Sequence, residues 1–225
     1  MFNSVPKNYD LINKLITWGL DKKWRRAAAE KCLEFFPCRI LDICCGTGDL
    51  AYAISYAGDT RNEIIALDYS PLMLEFAKRK FQDLPNQPEI IKGDASQLPF
   101  PDDTFDCVGI SFAFRNLTYR NPKIAKHLSE IYRILKHGGR FIITESSQPD
   151  STIIRKLFHL YLRLYVATVG QLISDNKGAY KYLAVSATNF HTPEEIGGLL
   201  INAGFQNVDY RAFVFGAAGL HVATK

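Results

Sequence analysis

The chain has 225 residues, of which 47% are hydrophobic, enough for a single domain with a substantial core. Its net charge of +4 comes from lysines and arginines spread along the chain, without the basic, aromatic-rich run typical of nucleic-acid binding, so we expect no nucleic-acid partner. No apolar run of about 18 residues or signal segment is visible, and the five cysteines form no C-x-x-C pair, so we expect a cytoplasmic protein with reduced thiols.

Residues 1–36 are predicted to form an N-terminal helical lid. The first part has apolar residues at helical spacing after Tyr9, and a longer helix is expected from Trp24 to Phe36, where Pro37 ends it. The two helices either pack against a sheet or close over a ligand, and in the second case Tyr9 would contribute to the flap.

The first predicted strand, Ile40–Cys45, runs directly into the glycine turn Gly46–Asp49 and then into a helical pattern. Two glycines one residue apart permit positive φ angles and leave no Cβ in the way of a ligand. The following helix offers unpaired N–H groups at its positive end, which suits a polar or anionic cofactor group. With Ala51 the turn also fits the degenerate dinucleotide fingerprint, and a tight connection without a ligand is another alternative.

The next two predicted strands each lead to an acidic residue. Ile64–Leu67 is followed by Asp68, which lies 20 residues beyond Gly48, the separation at which a βαβ unit places an acid against a ribose diol. A third strand, Glu89–Lys92, leads to Asp94 in the same way. We therefore expect two acids at the carboxyl edge of one sheet.

A fourth strand, Phe105–Phe112, contains Ser111 and precedes Arg115 and Asn116. Ligands of open α/β sheets bind beyond the carboxyl ends of the strands, so these three polar residues are candidates for a site.

A helix is predicted from Asn121 through Leu135, ended by Gly138 and Gly139, and a fifth strand follows at Arg140–Glu145. Five strands alternating with helices indicate a parallel, doubly wound sheet.

The end of the chain breaks this alternation. A capping box at Thr192–Glu195 starts a helix, and two strand-like runs at 208–215 and 217–224 are joined around Gly216. Such a hairpin requires at least one final strand to run antiparallel to the sheet.

Residues 151–190 are predicted to form a cap of helix and loop. The apolar residues of Ile153–Val166 cover more of a helix than one stripe. This excess indicates burial within the domain or a homodimer, a channel for an apolar substrate, or a patch for the membrane surface.

Together these features resemble the class I S-adenosylmethionine-dependent methyltransferases, and the matching segments are Leu41–Gly48, Asp68, Gly93–Ala95 and Leu135–Gly139. The resemblance implies one domain over residues 1–225, an α/β fold with a Rossmann-like, doubly wound seven-stranded sheet, mostly parallel with a C-terminal antiparallel hairpin. It also implies S-adenosylmethionine lying across the turn, its ribose on Asp68, its adenine beside Asp94 and Ala95, and its charged methionine end near Asp42. The predicted cofactor-binding residues are Asp42, Gly46, Thr47, Gly48, Asp68, Tyr69, Met73, Asp94, Ala95 and Ser111.

Within that fold the chain looks like the UbiE/MenG quinone C-methyltransferases. The segments that carry this resemblance are Gly93–Asn116, Glu145–Pro149, Tyr180–Leu183, Ala203–Phe205 and His221–Lys225. It implies methylation of a ring carbon on a prenylated quinol, giving menaquinol or a ubiquinol precursor. The family usually has glycine, proline and phenylalanine where Ala113, His137 and Ser146 stand.

The expected chemistry needs a deprotonated ring hydroxyl, because the ring carbon then becomes more nucleophilic. We hypothesise that Arg115 stabilises the quinolate, Asn116 orients it, and water or His191 accepts the proton. A salt bridge between Arg115 and Glu145 is the structural alternative. No metal is expected.

The prenyl chain is predicted to lie along Ile153–Val166 with Tyr180 and Tyr182. A lipid substrate adds the expectation of transient contact with the inner face of the membrane, and a homodimer is an alternative use of the same apolar surface. Other interpretations are a methyltransferase for another lipophilic molecule, a nicotinamide-dependent oxidoreductase, and a non-catalytic adenosylmethionine-binding subunit.

Overall fold

The computed structural model describes residues 9–35, 38–166, 168 and 177–225. Its centre is a seven-stranded sheet. The strands are β1 (Arg39–Ile43), β2 (Glu63–Asp68), β3 (Glu89–Lys92), β4 (Phe105–Ser111), β5 (Leu135–Ser146), β6 (Val208–Phe213) and β7 (Ala218–Thr224).

The strand order is β3-β2-β1-β4-β5-β7-β6. The first five strands in this order are parallel, and β7 runs antiparallel to both β5 and β6. This confirms the predicted doubly wound sheet with its closing hairpin. The order changes direction between β1 and β4, and open α/β sheets bind ligands at the carboxyl side of such a switch point.

Helices cover both faces of the sheet, and none in the described part of the chain is both long and apolar enough to cross a bilayer. A π-helical turn at Leu162–Val166 extends the seventh helix. The helices are α1 (Tyr9–Ile16), α2 (Asp21–Cys32), α3 (Asp49–Ala57), α4 (Pro71–Phe81), α5 (Phe114–Thr118), α6 (Ile124–Ile134), α7 (Thr152–Tyr161), α8 (Lys177–Thr188) and α9 (Pro193–Asn202).

Two apolar layers hold these helices to the sheet, because successive strand residues face opposite sides. In β1, Ile40 belongs to the layer that also contains Ala28 of α2, whereas Leu41 belongs to the layer of Ile131 and Ile196 from α6 and α9. All five side chains are fully buried. The apolar strand runs seen in the sequence are therefore the middle of a three-layer structure.

Two predicted helix boundaries were wrong. Leu135 begins β5 rather than ending α6, because it pairs with Phe105 of β4. The glycines at 138 and 139 consequently lie inside a strand, where the Gly138 N–H donates to the Lys225 carbonyl. The second lid helix begins at Asp21 and ends at Cys32, whereas the sequence predicted a start at Trp24 and an end at Phe36. Phe36 and Pro37 lie outside the described residues.

Candidate cofactor and active site

A cavity of about 630 Å³ lies at the carboxyl edge of the sheet, next to the switch point. Its walls come from the ends of β1, β2, β4 and β5, from α1, α2, α7 and α8, and from the turn before β7. The volume is within the range of small-molecule sites. Nine predicted site residues line it: Asp42, Gly46, Thr47, Asp68, Tyr69, Met73, Ser111, Arg115 and Asn116.

The two glycines of the turn have different roles. Gly46 has a φ of +57°, lines the cavity, and has no atom within 4 Å of where a Cβ would stand, so a ligand can approach it. Gly48 has a φ of +80°, and a Cβ there would lie 2.4 Å from Cζ of Phe81. Gly48 is not among the lining residues, and its absent side chain lets α3 pack closely against α4; its contact with the cofactor stays a prediction.

Asp68 fixes the shape of the turn. Its Oδ2 accepts a hydrogen bond of 2.8 Å from the Gly46 N–H, and its Oδ1 accepts one of 2.8 Å from the Ser70 N–H. These bonds attach the end of β2 to the turn after β1. The carboxylate is thereby held at the cavity wall.

Asp94 and Ala95 follow β3 at the same edge, next to Asp68, whose carbonyl accepts from the Gly93 N–H at 3.1 Å. The N–H of Ser96 donates to Asp94 Oδ1 at 2.7 Å and is the main reason that the pKa of this carboxyl lies below its usual value. Neither Asp94 nor Ala95 is among the lining residues, so their contact with the adenine stays a prediction.

Asp42 lies one residue before the end of β1 and is buried, with 1% exposure, and its Oδ2 accepts from the Ala51 N–H at 2.9 Å. Burial raises its pKa to about 8, and the nearby Asp68 and Asp49 act in the same direction, against the Ala51 N–H and Arg25. The side chain therefore keeps its proton through most of the neutral range. A cation bound in the cavity would favour the carboxylate form.

A chain of charged groups, which the sequence did not indicate, joins the lid to the turn. Lys80 Nζ on α4 donates to Asp10 of α1 at 2.8 Å and also contacts Asp49, and Asp10 Oδ1 accepts from Thr47 Oγ1 at 2.9 Å. Arg25 on α2 reaches Asp49 at 3.2 Å. Burial alone would raise the pKa of Asp49, but Arg25 and Lys80 hold it below the usual value.

Arg115 and Glu145 form a buried ion pair below the cavity. Arg115 Nη1 donates to Glu145 Oε1 at 2.9 Å, and the backbone N–H of Arg115 donates to Glu145 Oε2 at 3.1 Å. The structural alternative considered for Arg115 is thus present. Among the described residues, however, Arg115 Nε and Ser111 Oγ have no hydrogen-bond partner, and both residues line the cavity. Both atoms are thus buried donors without a partner in the described part of the chain, on residues of the cavity wall.

The opposite end of the cavity is apolar. Its lining residues there include Ile154, Leu157, Phe158, Tyr161, Leu162 and Val166, together with Leu183 and Ala187 of α8. Gln148 connects this cap to β5, because its Nε2 donates to the Ala187 carbonyl at 2.8 Å and its Oε1 lies 2.8 Å from His159 Nε2. The side chains of Tyr9, Tyr180 and Tyr182 lie outside the described residues.

Backbone strain is concentrated around the cavity. Seven non-glycine residues in the described ranges have positive φ angles, and five of them line it: Trp18, Cys44, Phe112, Val214 and Phe215. Such conformations persist only when surrounding packing enforces them, and they are frequent at binding sites.

His191 does not join this group. It precedes α9, its Nδ1 lies 3.6 Å from Glu195 Oε2, and it is not one of the described residues that line the cavity. The geometry gives no support to its predicted role as a proton acceptor. In the described ranges, no group of three or more histidine, cysteine, aspartate or glutamate side chains is arranged to hold a metal ion.

Comparison with known proteins identifies the family of the chain. The sequence matches the ubiE/COQ5 methyltransferase family over residues 1–225. The chain belongs to that family. The demethylmenaquinone methyltransferase of Thermus thermophilus is 38% identical, with both chains covered completely, and that of Lactiplantibacillus plantarum is 36% identical over all of this chain and 94% of its own.

Solved structures show the same fold in more distant methyltransferases. A SAM-dependent methyltransferase from Aquifex aeolicus superposes with a TM-score of 0.65 at 18% identity, covering 96% of this chain and 98% of its own. Human N-acetylserotonin methyltransferase in complex with SAM superposes with a TM-score of 0.64 at 18% identity, covering 96% and 55%. This family member is therefore an S-adenosylmethionine-dependent methyltransferase.

Proposed function

We propose that the enzyme transfers a methyl group from S-adenosylmethionine to a ring carbon of a prenylated quinol, with demethylmenaquinol as the first candidate. The observation that carries this proposal is the division of one cavity. Its sheet end presents Asp42, Asp68 and the glycine turn, whereas its cap end is lined by the apolar side chains of α7 and α8. The names of the 34–38% identical relatives support the quinone series.

The residues at the sheet end fit the cofactor. Asp68 would hold the ribose hydroxyls, Asp42 the ammonium of the methionine end, and the open side of Gly46 would receive the ligand backbone. Tyr69 and Met73 complete this wall. When bound, S-adenosylmethionine supplies an electrophilic methyl group on a sulfonium.

The polar residues between the two ends would hold the acceptor ring. Arg115 Nε and Ser111 Oγ are buried donors that can stabilise a ring oxygen as it loses its proton. Asn116 lines the same wall and would orient the ring. Since the guanidinium group of arginine is a poor base, we assign the proton to water.

The cap and lid act as parts of one domain in this proposal. The lid helices α1 and α2 would cover the cofactor, and the cavity-lining side chains of α7, of the π-helical turn and of α8 would enclose the first isoprene units. Burial of apolar surface contributes roughly 25 cal/mol per Å², so the tail would supply much of the substrate affinity. A substrate of this kind places the enzyme at the inner face of the membrane.

A labelled-methyl assay with purified enzyme and reduced demethylmenaquinones of graded tail length tests the function. We expect kcat/KM to rise at least about tenfold between the tail-less quinol and one with two isoprene units. Equal rates for all tails would refute the placement of the chain. Binding of adenosylhomocysteine without methylation of any quinol would favour another lipophilic acceptor or a non-catalytic subunit.

The link between α1 and the turn gives a second test. Replacing Lys80 with methionine should lower the affinity for adenosylhomocysteine about three- to tenfold, because partly exposed ion pairs each contribute up to about 1 kcal/mol. Isothermal titration calorimetry measures this change. The control is Lys78→Met on the exposed side of the same helix. Equal affinities of the two variants would contradict a role for Lys80 in closing the lid.

A further inference from the structure

The outer side of α7 and of its π-helical extension carries exposed apolar residues, most of which do not line the cavity. Ile153, Leu157, Leu160 and Leu164 are each more than half exposed, with Ile153 at 72%. Their spacing of four, three and four residues places them on one helical face. Only Leu157 among them also lines the cavity. An exposed apolar stripe of this length indicates an interaction surface.

Helix α1 adds a second stripe next to the first. Leu11, Leu15 and Trp18 are exposed, and the Trp18 ring stacks on Tyr165 with centroids 6.1 Å apart. The Tyr161 hydroxyl donates to the Ile16 carbonyl, so the two helices are packed together. We call this exposed apolar surface of α1 and α7, together with Phe215, which lines the same cavity as Trp18, the docking face.

Part of the docking face borders the cavity. Trp18, Leu157 and Phe215 all line the cavity, yet Trp18 is 75% and Phe215 81% exposed. Side chains with both properties lie where the cavity meets solvent. A molecule bound to this face would therefore sit at the cavity opening.

The charges on the docking face are positive. Lys14 of α1, Lys156 and Arg163 are exposed, and residues 152–166 contain no aspartate or glutamate, whereas Arg155 donates to the Pro149 and Asp150 carbonyls. On α1 itself, Asp10 is paired with Lys80. Lys and Arg beside an apolar helix face are typical of helices that lie in the interface of anionic lipids. A symmetric contact with a second copy would instead bring like charges together.

We propose that the docking face binds the surface of an anionic lipid bilayer, so that the cavity opens toward the layer in which a prenylated quinol is dissolved. The reason for such binding rests on the proposed function, but membrane binding can be measured without any methyl transfer. Apolar residues of α1 and α7 would enter the interface, and Lys14, Lys156 and Arg163 would face the headgroups.

Vesicle flotation tests the proposal with the full chain. The enzyme should float with vesicles of equal amounts of phosphatidylglycerol and phosphatidylcholine, and much less with phosphatidylcholine alone. The triple variant Ile153→Ser/Leu160→Ser/Leu164→Ser should lose at least tenfold in binding, and Lys156→Glu/Arg163→Glu should lose the preference for the anionic vesicles. Ile201→Ser on α9 is the control for replacing an exposed apolar residue outside the docking face, since Ile201 and Leu160 are both 52% exposed.

Two further measurements separate the possible failures. Unchanged melting temperatures, with unchanged turnover of a tail-less quinol where turnover exists, show that the variants fold. Wild-type flotation of the triple variant would overturn the proposal. A second result would also overturn it: neither protein floats, and analytical ultracentrifugation shows a dimer for the wild type but a monomer for the triple variant. A second copy of the chain would then cover the docking face. Flotation without methylation of any quinol would refute the proposed function alone.

Discussion

Replacing Arg115 with alanine should reduce methyl transfer at least about 100-fold and destabilise the protein by about 3–5 kcal/mol. The loss of turnover follows if Arg115 Nε stabilises the developing oxyanion of the quinol. The loss of stability follows because Glu145, 1% exposed, would remain as an unpaired buried charge. Turnover, chemical denaturation and the affinity for adenosylhomocysteine measure the three properties, and we expect that affinity to change less than threefold.

A double variant distinguishes catalysis from simple unfolding. In Arg115→Met/Glu145→Gln both buried charges are removed together, which is often nearly neutral for stability. Most of the lost stability should return, but turnover should stay low. Recovery of turnover together with stability would show that Arg115 serves only to pair with Glu145.

Asp42→Asn should change stability and cofactor affinity in opposite directions. In the unfolded chain this carboxyl has a pKa near 3.9, whereas burial raises the pKa to about 8 in the folded protein. The free energy of unfolding is therefore not reduced by Asp42 at low pH, where the carboxyl is protonated in both states. It falls as the pH rises from about 4 to about 8, because the unfolded chain loses this proton first. Asparagine has no such dependence, so the ligand-free variant should melt at least about 5 °C higher at pH 8.

The affinity of the same variant should fall at least about tenfold, since it cannot become a carboxylate opposite the ligand ammonium. In the wild type, affinity for adenosylhomocysteine should rise between about pH 6 and 8, by up to tenfold per unit, with proton release on binding. Calorimetry in two buffers of different ionisation enthalpy detects that proton. Asp83→Asn, an exposed site, is the control. An affinity of Asp42→Asn that equals the wild type and follows the same pH dependence would contradict this coupling.

The sequence predicts the sheet well because strands and turns depend on local patterns. Ile64–Leu67 is apolar throughout because both faces of its strand are covered. The turn at Gly46 is predictable because its backbone has a positive φ, a conformation that favours glycine. Leu135 was misassigned for a non-local reason: its helical spacing is overridden by pairing with Phe105, 30 residues away. Such competition between local periodicity and strand pairing is invisible without the fold.

The site was only partly predictable for the same reason. Asp42 and Asp68 follow recognisable strands, but Asp10 and Lys80 are 70 residues apart and meet only because α1 lies over α4. Gln148 belongs to a motif that the sequence showed, yet its link between α8 and His159 depends on where the cap folds. His191 was selected because histidine can accept a proton, without a motif around it, and it is not among the residues that line the cavity.

Helix α1 touches both ends of the cavity: Asp10 binds the Thr47 hydroxyl at the glycine turn, and the Ile16 carbonyl accepts from Tyr161 in the cap. One helix of eight residues thus contacts both the glycine turn and the cap. A displacement of α1 away from the turn would also break its hydrogen bond to the cap. If the proposed function holds, we therefore expect departure of the spent cofactor and of the methylated product to be linked through a helix that contributes no reacting atom.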